Sequence, residues 1–309
     1  ECCNSISAAK LRFRINFSRS FTFWTCVNVF RYDEVMSGLE DHAGDIVRKS
    51  RMGLGVSEAD VVEVTGLSQK ALEQFESEGS VQEEIQWEPL CERLQLHPEK
   101  FKSILDGWTP RPLQGESMPQ IRQIATDDGG MEVNAYLVWD PDSREAALFD
   151  TGWNPDPIKK CIQQEGLTLK NLFITHQHHD HIAAMTPLRK LYPSMQLKAQ
   201  GHGVPPKNQV SEGQMFSLGT LKIHARMTPG HASDGVTYVI NGLSGDFPRA
   251  AIVGDAIFAG SMGGATAHFE LAKTKIRKVI LSLDQPTLIC PGHGPLTTLK
   301  EEQSHNPFF

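Results

Sequence analysis

The feature that most restricts this chain is a run of six residues, His176-Gln177-His178-His179-Asp180-His181. It follows a short apolar stretch, Leu172-Phe173-Ile174, that reads as a buried strand, and it precedes a helix expected over 182–191. Residues two apart in an extended segment project to the same side, so His176 and His178 can converge on one ion. A tighter turn can bring Asp180 and His181 onto a neighbouring ion. Neutral imidazoles suit zinc, iron or manganese. Taken alone, the run would also fit an exposed His-rich loop.

Three further stations count against that bland reading. Thr228-Pro229-Gly230-His231 places a His in a sharp turn after a strand, Gly254-Asp255 ends an apolar strand, and Pro291-Gly292-His293-Gly294-Pro295 places another His in a turn after a strand. Strand ends that face one rim let a fold gather ligands from distant parts of the sequence. The pattern around them mixes strands with helices. Strands are expected at 131–138, 146–149, 172–174, 221–225, 236–240, 251–253 and 288–289, and helices at 157–165 and 182–191. That mixture fits a layered α/β architecture.

In this order the stations resemble the metallo-β-lactamase superfamily, over residues from about 118 to the end of the chain. The resemblance implies a four-layer αββα sandwich. Carried over position by position, it implies that His176, His178 and His231 hold one metal, that Asp180, His181 and His293 hold a second, and that Asp255 bridges them. Asp150, in the turn Asp150-Thr151-Gly152, matches a recurring turn of the family and is expected to stand behind the ligands and orient their loop. The cofactors implied are two divalent metal ions, zinc first, with iron or manganese as alternatives. Two cations lower the pKa of bound water, so hydroxide exists near neutral pH to attack a carbonyl polarised by one metal. The second metal stabilises the developing oxyanion or the leaving group. Asp180 is placed to take the water proton and pass it on, which makes it the expected catalytic residue.

Asp255 narrows the class. A bridging carboxylate supports a true two-metal site and sets the chain apart from the lactam-cleaving branches. The run Val253-Gly254-Asp255-Ala256-Ile257-Phe258-Ala259-Gly260-Ser261-Met262-Gly263-Gly264 resembles the glyoxalase II (hydroxyacylglutathione hydrolase) group, and the tail after His293 is similar to its short forms. Gly264 stands in the neighbourhood where that group often carries an Arg. The resemblance implies hydrolysis of a small-molecule ester or thioester. Lactone hydrolysis and iron-dependent persulfide oxidation are the neighbouring alternatives.

The first third of the chain reads differently. From about 41 to 107 the pattern is helical, with Ile46, Val47 and Met52 expected on one face of a first helix. Ser57 and Ser68 are placed to cap two short helices joined by the turn Thr65-Gly66-Leu67, and further helices are expected at 84–94 and 98–105. This stretch is similar to Cro/repressor-type helix-turn-helix domains, which would turn Gln69, Lys70 and Gln74 toward DNA bases and would make a metabolite-sensing transcriptional regulator the alternative function. Charge argues against that. Residues 36–108 hold 7 Lys/Arg and 15 Asp/Glu, a net of −8, whereas phosphate contact calls for a basic face. Dimerisation is an equal use for such a helical unit.

The 309 residues suggest about two domains at roughly 150 each. The expected division is a non-native or disordered leader at 1–35, the helical domain at 36–107, a linker at 108–117 carrying two prolines, and the hydrolase domain at 118–309. A net charge of −7 argues against a nucleic-acid or membrane-surface binder, and no apolar run of about 18 residues suggests a membrane span. The six cysteines form no C-x-x-C pair and read as free thiols of a cytoplasmic protein, with Cys161 and Cys290 in the core. His179 is expected to point away from the metals, Tyr136 to pack in the core, and Lys207 and Arg226 to be solvated.

Overall fold

Capping residues set the N-terminal helices. In α1 (Ala43–Leu54) the His42 side chain accepts the Asp45 N–H, Asp45 answers the His42 N–H, and Gly55 closes the helix at φ 65°. Ser57 and Asp60 do the same for α2 (Glu58–Thr65), which ends at Gly66, and Ser68 caps α3 (Gln69–Glu78). α4 (Trp87–Arg93) and α5 (Pro98–Leu105) follow, the latter with Pro98 in its first turn, where a missing N–H costs nothing. The computed structural model describes residues 38–113 and 115–309. The leader expected over 1–35, together with Cys2, Cys3 and Cys26, falls outside the described residues.

Two expectations for these helices are corrected. Ile46 and Val47 are fully buried, but Met52 is 41% exposed. The inward stripe of α1 is Ala43, Ile46, Val47 and Ser50, at helical spacing, and Met52 lies off it. The helix expected from residue 84 begins only at Trp87, because Gln86 is extended. Gln69, Lys70 and Gln74 are exposed on α3. The amides of Gln69 and Gln74 are taken by carboxylates, Gln69 by Glu58 and Glu73, and Gln74 by Glu78.

Next come β1 (Ile121–Asp127), β2 (Glu132–Trp139), β3 (Glu145–Phe149), α6 (Pro155–Gln164), β4 (Thr168–Phe173), α7 (His179–Ile182), α8 (Met185–Leu191) and β5 (Gln196–Lys198). They build a five-stranded sheet in the order β1-β2-β3-β4-β5, antiparallel to β3 and parallel beyond it. The second half adds β6 (Met215–Leu218), β7 (Leu221–Met227), β8 (Val236–Asn241), β9 (Arg249–Gly254), the hairpin β10 (Ile257–Phe258) and β11 (Ser261–Met262), α9 (Phe269–Lys275), β12 (Thr287–Pro291), β13 (Thr297–Thr298) and α10 (Leu299–His305). Its six-stranded sheet runs β13-β12-β9-β8-β7-β6.

Strand alternation divides the apolar side chains between faces. Phe149, Phe173, Tyr238, Ile252 and Cys290 meet between the sheets. Ala146, Leu148 and Leu172 face outward onto Ile158 and Ile162 of α6 and Leu188 of α8. Ala251, Val253 and Ile289 face the other way, into one cluster that contains α1–α5 together with Phe269, Ile276 and Phe308. The result is the α/β sandwich of helix, sheet, sheet and helix. The N-terminal helices share the outer helical layer with α9 and α10. The stretch expected as a linker runs against α10, where Trp108 stacks on His305 with ring centroids 4.6 Å apart and the Arg111 N–H reaches Glu301 at 3.0 Å.

The helix expected over 182–191 is broken into α7 and α8. The Ala184 N–H is drawn to the Gly152 carbonyl at 3.0 Å and to Thr151 Oγ1 at 3.1 Å, so long-range bonds replace the helical one there. Cys91, Cys161 and Cys290 are free thiols, and among the described residues no helix is long and apolar enough to cross a membrane.

Candidate metal centre

β3 and β4 are parallel neighbours, so the turns after them emerge side by side at one edge of the sheet. The turn after β3 carries Asp150, buried and left-handed at φ 58°. Asp150 Oδ1 accepts the Thr175 N–H at 2.8 Å, Oδ2 accepts Thr175 Oγ1–H at 2.7 Å, and Oδ2 lies 2.8 Å from His181 Nδ1. One carboxylate thereby sets both ends of the ligand run. The loop is held again where Thr151 N–H and Oγ1–H both donate to the His181 carbonyl, at 2.8 and 3.0 Å. At the run's centre Asp234 Oδ2 accepts the Gln177 N–H at 3.1 Å, a role that nothing in the sequence singled out.

The other stations arrive from the second sheet. His231 follows β7, Asp255 follows β9 and His293 follows β12. Their turns are crowded. A Cβ at Gly292 would strike Asp255 Oδ1 and lie 2.7 Å from His181 Cε1, so only glycine lets the β12 turn pass. The Asn134 side chain braces that turn, donating to the carbonyls of Pro291 at 3.1 Å and Gly294 at 2.9 Å.

The seven expected ligands come together in two groups. His176, His178, His231 and Asp255 offer atoms mutually within 4.8 Å, and so do Asp180, His181 and His293. His178 Nδ1 stands 3.0 Å from both His176 Nε2 and His231 Nε2. Asp255 Oδ2 reaches His231 Nε2 at 3.4 Å in the first group and His293 Nε2 at 3.5 Å in the second, while its Oδ1 is 3.2 Å from His181 Nε2. Asp180 Oδ2 is 3.2 Å from His293 Nε2 and 3.4 Å from His181 Nε2.

Four of the five histidines have their outer ring nitrogen engaged. His176 Nδ1 meets Thr175 Oγ1 at 3.1 Å, His231 Nδ1 meets the Gly264 carbonyl at 2.9 Å, and His293 Nδ1 meets the Glu132 carbonyl at 2.6 Å. With His181 held by Asp150, four rings turn their second nitrogen inward. Outer partners of this kind fix tautomer and ring direction in metal sites. The inner atoms are poorly served by the protein itself. Buried His181 Nε2 and Asp255 Oδ1 face each other, yet neither makes a hydrogen bond of acceptable geometry. One His178 nitrogen cannot donate to two neighbours at once. This donor set, nitrogen and carboxylate oxygen converging on two points, fits two divalent cations.

The electrostatics agree. Burial pushes His176 down to about 2, with His181 adding to the effect, so its ring is neutral. Burial also opposes charge on His181 and His293, but carboxylates outweigh it. Asp150 and Asp255 raise His181 to about 10, and Asp180 and Asp255 raise His293 to about 11. Burial works against Asp255 too, and His181 overrides it, holding the carboxyl well below its ordinary range. Asp180 is brought down to about 2 against its own desolvation by the contact with His293.

The remaining candidates stay outside. His179 is exposed and meets the Trp153 ring edge-on at 5.5 Å. Tyr136 is buried with its hydroxyl on the Pro291 carbonyl at 2.7 Å, and Arg226 is paired with Glu212 at 2.8 Å.

Comparison with known proteins places residues 128–293 on the model of the metallo-beta-lactamase superfamily. A probable metallo-hydrolase of Bacillus subtilis is 28% identical over 58% of this chain and 93% of its own length. A hydroxyacylglutathione hydrolase of Haemophilus influenzae is 27% identical over 57% of this chain and 92% of its own. The mitochondrial persulfide dioxygenase of Homo sapiens is 31% identical over 56% and 69%. Among solved structures, the BLEG-1 B3 metallo-beta-lactamase aligns with a TM-score of 0.53 at 26% identity, covering 61% of this chain and 98% of that one.

Proposed function

The chain belongs to the metallo-beta-lactamase superfamily, and from that premise we propose that it is a two-metal hydrolase of a small-molecule thioester or ester, similar to hydroxyacylglutathione hydrolases. The observation that carries this reading is Asp255, whose one carboxylate reaches ligand nitrogens of both groups. The relatives named as metallo-hydrolase and hydroxyacylglutathione hydrolase support it.

His176, His178 and His231 would hold the first cation, Asp180, His181 and His293 the second, with Asp255 between them. Two cations bound there, zinc first, would supply Lewis acidity and a water acidic enough to ionise near neutral pH. The chain's own residues do the rest. Asp180 is a carboxylate at neutral pH and is open enough to meet substrate, so it accepts the proton of the attacking water. The oxygen adds to the acyl carbon, the bond from that carbon to sulfur or oxygen breaks, and Asp180 returns its proton to the departing thiolate or alkoxide. Asp150 and Asp234 hold the loop that carries Asp180.

The test is hydrolysis of S-lactoylglutathione, with oxygen esters beside it, by the full chain loaded with zinc, iron or manganese. Metal-dependent turnover at a kcat/KM of about 10⁴ M⁻¹s⁻¹ or more, abolished in His178→Ala, is expected. Turnover that is indifferent to metal and to His178→Ala would sink the reading. Iron-dependent persulfide oxidation is the second reading, favoured by the 31% identity to persulfide dioxygenase. Oxygen consumption with a glutathione persulfide distinguishes it.

A further inference from the structure

The five N-terminal helices lie outside the stretch 128–293 that carries the family likeness, yet they touch the rim of the metal centre. Asp41 is 6% exposed. It accepts the Ser261 Oγ–H at 2.5 Å and pairs with Lys49 Nζ. Lys49 Nζ donates to the Met262 carbonyl at 3.0 Å and lies 5.0 Å from the centre of the Phe258 ring. Apart from the Asp41–Lys49 pair itself, each of these contacts lands on the β10–β11 hairpin.

That hairpin leaves Asp255 at one end and enters Gly263-Gly264 at the other. The Gly264 carbonyl orients His231 through Nδ1 at 2.9 Å. A Cβ at Gly263 would overlap the Asp255 carbonyl and stand 3.0 Å from His231 Nδ1, so the hairpin's return has almost no slack. Moving the hairpin outward takes the carbonyl away from His231. Moving it inward drives Gly263 into Asp255. The neighbouring turn is engaged as well. Phe258 meets His293 edge-on at 5.8 Å, and a Cβ at Gly294 would lie 3.1 Å from Glu40 N and Cβ.

We propose that Asp41 and Lys49 are positioning residues of the metal centre, a clamp through which the N-terminal helices hold the β10–β11 hairpin where Gly264 can aim His231 at its ion. The inference rests on the two-metal reading above. An ion pair between buried Asp41 and half-buried Lys49 adds little net stability once desolvation is counted, so geometry is the better account of why two charges sit there. The pair is also spent on the hairpin. Lys49 donates to a hairpin carbonyl and Asp41, just before α1, accepts a hairpin hydroxyl, so both charges reach beyond the N-terminal segment.

The experiment is a cobalt(II) titration of the metal-free full chain, followed by visible absorption, for wild type, Asp41→Asn, Lys49→Met, Lys49→Arg and the double variant Asp41→Asn/Lys49→Met. Removing Lys49 leaves the buried Asp41 carboxylate alone and can unfold the chain. The double variant leaves neither charge, and circular dichroism and melting test whether it is folded. Wild type is expected to bind at two sites. In the double variant one site should weaken by about 10- to 100-fold, with an altered cobalt spectrum, while the other keeps its affinity. Lys49→Arg, which keeps a cation and its donors, should recover most of the loss. A folded double variant with wild-type affinity and spectrum at both sites would overturn the clamp and leave the metal centre standing. A wild type that takes up no cobalt would overturn both.

Discussion

His181 Nδ1 and Asp150 Oδ2 meet at 2.8 Å across 31 residues of sequence. The contact joins the turn after β3 to the run after β4, and Asp150 adopts a left-handed backbone to make it. Aspartate tolerates that region better than most residues. Asp150→Ala removes the partner of His181 and both bonds to Thr175. Metal affinity at the group Asp180, His181 and His293 should fall about 10- to 100-fold, read by competition with a chelator. Unchanged affinity would show that Asp150 does not orient the loop.

Asp255 serves both groups of ligands, so its loss differs from the loss of a His that serves one. His231→Ala should spare the second site and leave bound metal near half the wild-type content. Asp255→Ala should lower occupancy at both sites. Elemental analysis after dialysis reads the difference. Equal metal content in the two variants would argue against a bridging role.

Metal loading should release protons. Without metal, carboxylate neighbours overcome burial and raise His181 to about 10 and His293 to about 11, so both rings are charged at neutral pH. Each must lose a proton to become a ligand, and loading near pH 7 should release roughly two protons per chain into a weakly buffered indicator solution. Both folded values lie above the ordinary 6.5. These pairs therefore stabilise the metal-free protein fully below pH 6.5, and their contribution is lost as pH rises through about 10 and 11. Loading without proton release would contradict the assignment.

Glu302 gives a second pH dependence away from the metals. It is fully buried, and burial raises it to about 7 against the donors that favour its charge. Those donors are Thr297 Oγ1–H at 2.8 Å, Asn306 Nδ2–H at 2.8 Å and Gly260 N–H at 3.1 Å. The folded state holds its proton more tightly than the unfolded state, whose value is near 4.5. Stability from this group is complete below 4.5 and is lost as pH rises through about 7. Compared with wild type, Glu302→Gln should remove that part of the fall in melting temperature between those limits. Parallel curves would contradict it.

Much of the candidate centre was readable in the sequence because the residues that come together there are side chains at telling positions. His176, His178, Asp180 and His181 announce themselves by spacing, and His231, Asp255 and His293 by strand-end turns. Their supports were less visible. The partners of His231 and His293 are the carbonyls of Gly264 and Glu132, and a carbonyl leaves no mark on residue type. Asp234 stands only three residues after His231, but it is the fold that brings it to Gln177. The caps Ser57 and Ser68 and the turn at Gly66 were legible, since capping is local. What covers the apolar stripe of α1 was not, because Ile46 and Val47 say only that something does. The break between α7 and α8 comes from Thr151 and Gly152, more than 30 residues upstream. The two-residue strands β10, β11 and β13 are too short to carry a period.

The most direct measurement is a crystal structure of the metal-loaded full chain with anomalous data collected at the absorption edge of the bound metal. Two anomalous peaks are expected, one among His176, His178 and His231 and one among Asp180, His181 and His293, with the Asp255 carboxylate between them. A single peak, or peaks away from these residues, would contradict it.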